Sequence, residues 1–330
     1  MQAIGGYFSL ELNEGVEYHH DALRLNAGRY ALEYILKSRK YTKVYLPYYI
    51  CDSVLQPFRR MGVGYEFYHI NEKLEPTIEL HPNDDEAVLF VNYFGLLNRT
   101  LDTLFHTYRN TILDYTQAFY SEKGNKANDK SLQCDTFYSC RKYFGVPDGA
   151  YLYTDCHLDE PFPQDESYER MTFLTKRIDR SPEEAYADFH ANGKQLAMVG
   201  MRRMSRLTEA MMKSIDYTAK AQRRIHNFQT IDKVLRGSNH FKWELDNGVV
   251  PQVYPYYVED GARLRQYLID RKVYCARYWP NVLEWCEKDD WEYQLAFNLA
   301  CIPIDQRYGN KEVNQIIEII KDYENCYNRG

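Results

Sequence analysis

Apolar positions along the first half of the chain follow two alternating rhythms. Short runs at 43–46, 65–70, 87–93, 111–115, 134–139 and 149–154 have the length and β-branched or aromatic content of strands. Between them, 21–40, 50–61 and 99–109 carry apolar residues at helical spacing. In the first of these, Leu23, Leu25, Tyr30, Leu32, Ile35 and Leu36 fit the pattern, with Asn26 placed to cap a helix that begins near Gly28. Strands alternating with helices predict an α/β fold, a mostly parallel sheet with helices on both faces. Ligands of such sheets gather beyond the carboxyl ends of the strands. The segments 92–95, 114–117 and 139–142 all lie at expected strand ends, so the pattern brings them to one pocket.

The second half reads differently. Residues 124–131 and 161–167 are polar and loop-like, and Ser181-Pro182-Glu183-Glu184 has the form of a helix start, leading into a helical stretch to about 230. Composition changes after Gly237-Ser238-Asn239. Beyond it, 252–258 and 273–274 read as strands, 261–271 as a helix, 295–304 partly as a strand and 311–323 as a terminal helix. The chain of 330 residues exceeds the roughly 250–300 that a single core usually supports. Its expected division is a large ligand-binding domain over 1–236 and a small α/β domain over 237–330.

Composition narrows the classes of function. A formal net charge of -6 lacks the basic surplus of a nucleic-acid binder. The first fifteen residues have no basic leader and carry Glu11 and Glu14, and no apolar run is long enough to span a bilayer, so a cytoplasmic protein without a membrane partner is expected. Eight cysteines stand without CxxC pairs or histidines at metal-ligand spacing, which points to free thiols and no metal. The 31 tyrosines fall largely in strand-like stretches and read as packing residues.

The chemistry concentrates in two segments. Lys142 sits on a turn-rich stretch three residues after Ser139, and Asp114 closes an earlier apolar run ahead of Gln117. Pyridoxal phosphate chemistry needs such a set: an amine to condense with the cofactor aldehyde, an acid facing the ring nitrogen, and donors around a phosphate. Read in isolation, Lys142 and Asp114 are equally a surface lysine and an ordinary strand-end acid.

The ordered set Asn26-Ala27-Gly28-Arg29-Tyr30-Ala31-Leu32, Val91-Asn92-Tyr93-Phe94-Gly95, Asp-x-x-Gln at 114–117, and Ser-x-x-Lys-x-Phe-Gly-x-Pro-Asp-Gly from 139 resembles the DegT-type sugar aminotransferases. These are fold-type I pyridoxal phosphate enzymes. The likeness runs in order from about residue 20 to Cys301-Ile302-Pro303-Ile304. It implies Lys142 as the cofactor lysine, Asp114 at the ring nitrogen, Gln117 and Asn92 near the ring, and Gly28, Arg29 and Ser139 around the phosphate. Tyr49, with Tyr48 as its rival, falls where an aromatic face would cover the ring, and Arg277 where a substrate anion would be met. The implied reaction passes nitrogen from glutamate or a similar donor to a nucleotide-linked keto sugar, for polysaccharide synthesis, in a homodimer. Gly28-Arg29 replaces the family's Gly-Thr or Gly-Ser, and Phe137 replaces its more common serine. A lyase using the same cofactor, another carbon-bond reaction, and a non-catalytic binding module are the alternatives.

Overall fold

Seven strands build one sheet in the spatial order β1-β7-β6-β5-β4-β2-β3. The computed structural model describes residues 4–104, 106–124 and 132–327. The first part of the chain runs β1 (Leu23–Leu25), α1 (Gly28–Arg39), β2 (Lys43–Pro47), α2 (Leu55–Met61), β3 (Gly64–Tyr68), β4 (Glu86–Val91), α3 (Asn98–Leu104), β5 (Asn110–Tyr115), β6 (Gln133–Ser139) and β7 (Ala150–Tyr153). Helices α4 (Thr172–Asp179), α5 (Pro182–Met198), α6 (Arg206–Lys213) and α7 (Tyr217–Leu235) follow. The remainder is β8 (Val253–Tyr257), α8 (Gly261–Asp270), α9 (Val282–Trp285), α10 (Trp291–Asn298), β9 (Leu299–Pro303) and α11 (Asn310–Tyr327).

Strands β3, β2, β4, β5 and β6 are parallel, and β7 and β1 add antiparallel pairs at one edge. Every residue of β4 and β5 is buried, as expected for parallel strands covered on both faces. Helix α1 lays Tyr30, Ala31, Leu32, Tyr34, Ile35 and Leu36 into the core, and each large aliphatic side chain among them contributes about 1.5–3 kcal/mol by burial. The helix stops at Lys40, whose backbone turns left-handed (φ 58°) and donates its N–H to Leu36 O. Arg39 in the last turn grips Asp135 of β6 with two bonds of 2.8 and 3.0 Å, fixing the helix along the sheet.

Several elements differ from their expectation. Residues 23–25 are an edge strand paired with β7 rather than the start of a helix. The N-cap of α1 is Ala27, not Asn26, and its side chain caps nothing. Asn26 is instead spent on tertiary bonds, donating to Gly200 O at 2.9 Å and accepting from Arg202 N at 3.2 Å. The long helical stretch from 181 is three helices, because Ser205 and Asp216 each cap a new one, accepting from Thr208 N and Ala219 N. Residues 273–274 form no strand; Ala276 alone bridges to Cys301. Of the expected loop at 124–131, residues 125–131 lie outside the described residues.

A second core lies between the β8–β9 pair and the helices around it, joining Tyr254, Tyr256, Leu264, Leu268, Ile302, Val313, Ile316 and Ile320. Phe228, Ile231 and Leu235 of α7 belong to it as well. This helix thereby links the two parts of the chain.

Candidate active site

Parallel pairing sets the carboxyl ends of β4, β5 and β6 side by side, with Val91 opposite Asp114 and Asp114 opposite Phe137. The chain leaves β6 through Ser139 into a single helical turn, Cys140–Lys142, which brings the Lys142 side chain back over the end of β5. There Lys142 Nζ donates to Thr116 Oγ1 at 3.0 Å, and Thr116 N donates to Asp114 Oδ1 at 2.9 Å. One threonine thus joins the amine and the carboxylate. Asp114 is 4% exposed; burial raises its pKa, while the charge of Lys142 and the bond from Thr116 pull it back down.

Gln117 is fully buried and holds three segments together. Its Oε1 accepts from Phe94 N at 2.9 Å, and its carbonyl accepts from the Tyr143 hydroxyl at 2.6 Å. Its Nε2 is shut off from solvent and has no partner among the described residues, a pair of donors free for a ligand. Phe94 and Gly95 both take left-handed backbone (φ 60° and 73°). A Cβ on Gly95 would lie 3.0 Å from Gln117 O, so only glycine lets these loops approach.

The start of α1 forms another wall. A Cβ on Gly28 would meet Thr116 Cγ2 at 3.2 Å, so the helix begins hard against the residue that bridges Lys142 and Asp114. Arg29 donates to Gln56 Oε1 at 2.6 Å, and burial lowers its pKa. The Ser139 hydroxyl makes no hydrogen bond among the described residues and remains available.

The other expected residues have structural occupations. Asn92 donates to Asn98 Oδ1 at 2.7 Å and accepts from Leu97 N at 3.0 Å, shaping the turn into α3. Tyr49 is fully buried, its ring 5.4 Å from Tyr93 and 5.0 Å from Trp279. Tyr48 stacks on Phe67 at 4.8 Å. Arg277 is half-buried and forms no ion pair among the described residues; its charge lowers the pKa of Arg265 nearby, though burial does so more.

Sequence reasoning missed Thr116, Tyr143, Arg224 and Gln306. Tyr143 follows the lysine directly, and its carbonyl accepts from Gln306 Nε2 at 2.7 Å and Arg224 Nη2 at 3.4 Å. Arg224, 2% exposed on α7, also bonds Gln306 Oε1 at 2.8 Å and Gln252 O at 2.9 Å. Its guanidinium lies 4.5 Å from the centre of the Tyr143 ring.

The mostly parallel sheet and its helices are shared with solved aminotransferase structures. No protein-family model and no curated protein matches the chain, whereas solved structures do. Sugar aminotransferase CalS13 from Micromonospora echinospora is 14% identical over 91% of this chain and 87% of its own, with a TM-score of 0.60. A DegT DnrJ EryC1 StrS aminotransferase from Brucella abortus is 16% identical, covering 92% of this chain and 85% of its own, with a TM-score of 0.56. NtdA from Bacillus subtilis, solved with bound cofactor PMP, is 13% identical over 91% of this chain and 72% of its own, with a TM-score of 0.60. At these identities the likeness establishes the fold.

A pyridoxal phosphate group fits the residues present. An amine stands by a buried acid, the neighbouring Gln117 keeps orphaned donors, and the glycine-opened helix start and the free Ser139 hydroxyl suit a phosphate.

Proposed function

We propose that the protein is a pyridoxal phosphate-dependent aminotransferase of the DegT type. It moves an amino group from glutamate or a similar donor to a keto sugar carried on a nucleotide. The observation that carries this reading is the Lys142–Thr116–Asp114 chain, with its bonds of 3.0 and 2.9 Å at neighbouring strand ends. The names of CalS13, a sugar aminotransferase, and of NtdA, solved with PMP, support the substrate class and the cofactor.

When bound, pyridoxal phosphate supplies an electron sink for bond breaking at the substrate's amine-bearing carbon. With the cofactor bound, Asp114 would accept from the ring nitrogen and hold its proton in place. Lys142 Nζ would hold the cofactor through its aldehyde. The same Nζ would serve as the base that moves the proton at the donor carbon. Thr116 holds that amine within reach by accepting its hydrogen bond. Gln117 Nε2 would donate toward the ring hydroxyl, and Gly28, Arg29 and Ser139 would hold the phosphate. Arg277, without an acidic partner among the described residues, meets an anionic group of the substrate.

The acidic balance of the chain supports small molecules over nucleic acid as its partners, and among the described residues no helix is long and apolar enough to cross a membrane. We read the enzyme as a cytoplasmic homodimer of polysaccharide synthesis. The test is a visible absorption spectrum with added pyridoxal phosphate, before and after glutamate, beside Lys142→Ala. A band that requires Lys142 and bleaches with glutamate is expected. A protein that gives no band contradicts the cofactor assignment, and a band indifferent to every amino donor contradicts the transfer.

A further inference from the structure

We propose that Arg224 is a positioning residue for the transfer reaction: it closes a hydrogen-bonded ring that holds the Lys142 turn and the Gln117 carboxamide in one fixed relation. The proposal rests on reading Lys142 and Gln117 as groups that face the cofactor. It gives a role to a buried cation on α7 that lies outside the set of reacting residues.

The ring can be followed bond by bond. Arg224 Nη1 donates to Gln252 O at 2.9 Å, and Gln252 N donates to Phe94 O at 2.8 Å. Phe94 N donates to Gln117 Oε1 at 2.9 Å. The Tyr143 hydroxyl donates to Gln117 O at 2.6 Å, and Tyr143 O accepts from Arg224 Nη2 at 3.4 Å, which returns the path to its start. Every residue on it is buried. The longest link is braced, because Gln306 accepts from Arg224 Nε at 2.8 Å while donating to Tyr143 O at 2.7 Å. The guanidinium also lies 4.5 Å from the centre of the Tyr143 ring.

Two features show that the ring carries orientation. Arg224 forms no ion pair among the described residues: its acceptors are neutral oxygens of Gln252, Tyr143 and Gln306. Asp305, whose charge acts on it, is gripped by Arg307 at 2.6 and 2.8 Å. A buried cation without a carboxylate is unfavourable, and what it supplies here is a planar fork that reaches several oxygens at set angles. The second feature is Phe94, a non-glycine residue in left-handed backbone (φ 60°) with both its N–H and its C=O bonded into the ring. Such a conformation persists where its surroundings over-determine it.

The consequence falls on the two groups the ring joins. A carboxamide is planar, so tying Gln117 Oε1 to Phe94 N fixes where the unpartnered Nε2 points. Tyr143 follows Lys142 directly and is tied at both its carbonyl and its hydroxyl, so the turn that carries the amine cannot shift without straining the bond to Gln117 O. With the ring closed, amine and amide keep one spacing. With it open, each moves on its own.

The test uses the full-length chain saturated with pyridoxal phosphate and follows the rate at which glutamate bleaches the visible band. The parent is compared with Arg224→Met, Arg224→Lys, Tyr143→Phe and the double variant Arg224→Met/Tyr143→Phe. Arg224→Met is expected to slow bleaching at saturating glutamate roughly 10- to 100-fold, the scale of misplacing a reacting group by about 1 Å. The half-saturating glutamate concentration should stay within about 2-fold of the parent, and Arg224→Lys should fall between in rate. Tyr143→Phe opens the same ring elsewhere, so the double variant should be no slower than the slower single variant. In the cofactor-free protein, native-state hydrogen exchange of the Phe94 amide should speed up roughly 10-fold in Arg224→Met, while the amides of β4 and β5 keep the parent rate. Gln306→Leu, which removes the brace and leaves the cation, stands in for Arg224→Met in both measurements if that variant does not fold.

Losses that multiply in the double variant, a parental rate in Arg224→Met, or a loss confined to the half-saturating concentration overturns the proposal while leaving the cofactor reading intact. Exchange that speeds up equally at Phe94 and across β4 makes Arg224 a purely structural residue and overturns it as well. A parent chain that gives no visible band overturns the cofactor reading and the positioning role with it, and faster exchange at Phe94 alone then upholds the ring by itself.

Discussion

His19 offers a quantitative test of how the N-terminal segment is held to the sheet. Its ring is 3% exposed, packed 4.1 Å from Tyr138, 4.8 Å from Phe119 and 5.2 Å from Tyr151 between ring centroids. Nε2 lies 2.7 Å from Phe119 O, an acceptor only, so Nε2 carries the hydrogen; Nδ1 lies 3.1 Å from the Tyr153 hydroxyl. Burial among aromatic rings lowers the pKa from 6.5 to about 4, against the opposing pull of the Phe119 bond and Asp21 and with the help of His20 and Lys123. Because the folded value is depressed, the unfolded chain takes up a proton first as pH falls. The stability that neutral His19 contributes is therefore complete above about pH 6.5 and is lost on descent toward about pH 4. Linkage over that interval gives a loss of roughly 2 kcal/mol by about pH 5 and roughly 3 kcal/mol by about pH 4.

The buried carboxyls Asp114 and Asp148, both raised by burial, titrate with the opposite sign, so the difference from a His19→Phe variant isolates the effect. Phenylalanine keeps the ring packing, leaves Phe119 O unpaired and should cost about 1–3 kcal/mol near neutral pH. Urea unfolding of both proteins should show that gap shrinking by roughly 2 kcal/mol between about pH 7 and about pH 5. A gap that stays constant over this range refutes the argument.

Two further outcomes follow from the site. Asp114 is ionised at the expense of folding, since its folded pKa lies above its unfolded one; the penalty is present above the unfolded pKa and absent well below it. Cofactor-free Asp114→Asn should therefore melt no lower than the parent near neutral pH, with the two converging on acidification and turnover lost; a clearly less stable variant at neutral pH contradicts this. Tyr143→Phe removes the 2.6 Å bond to Gln117 O and leaves a buried carbonyl unpaired, so denaturant unfolding should show a loss of about 1–3 kcal/mol, and an unchanged midpoint would show that the bond holds nothing.

The sheet was legible because fully buried strands such as β4 and β5 read as apolar runs bounded by polar turns. Lys142 and Asp114 stood out because chemistry at a strand end has few other readings once the flanking motif is seen. Thr116 was passed over as a variable position inside Asp-x-x-Gln, although a hydroxyl two residues beyond a strand-end acid is well placed to bond it. Arg224 beside Arg223 looks like a solvated helix face. Its spacing to Phe228, Ile231 and Leu235 nevertheless places it on the buried stripe, and a period count would have found it. Asn26 carried no such signal, since its partners at 200 and 202 are remote in sequence. Local cap propensity lost to tertiary bonding there.

The carbonyl one residue beyond Lys142 gives the molecule a fulcrum. Tyr143 O is held by Gln306, just past β9, and by Arg224 from the helix that joins both cores, while the hydroxyl of the same tyrosine is tied to Gln117 at the end of β5. A rotation of the β8–β9 unit against the large sheet therefore either breaks the 2.7 Å bond from Gln306 or drags the Tyr143 carbonyl, one residue beyond Lys142, with it. The amine is geared to the arrangement of the two halves, and its bond to Thr116 registers their relative position.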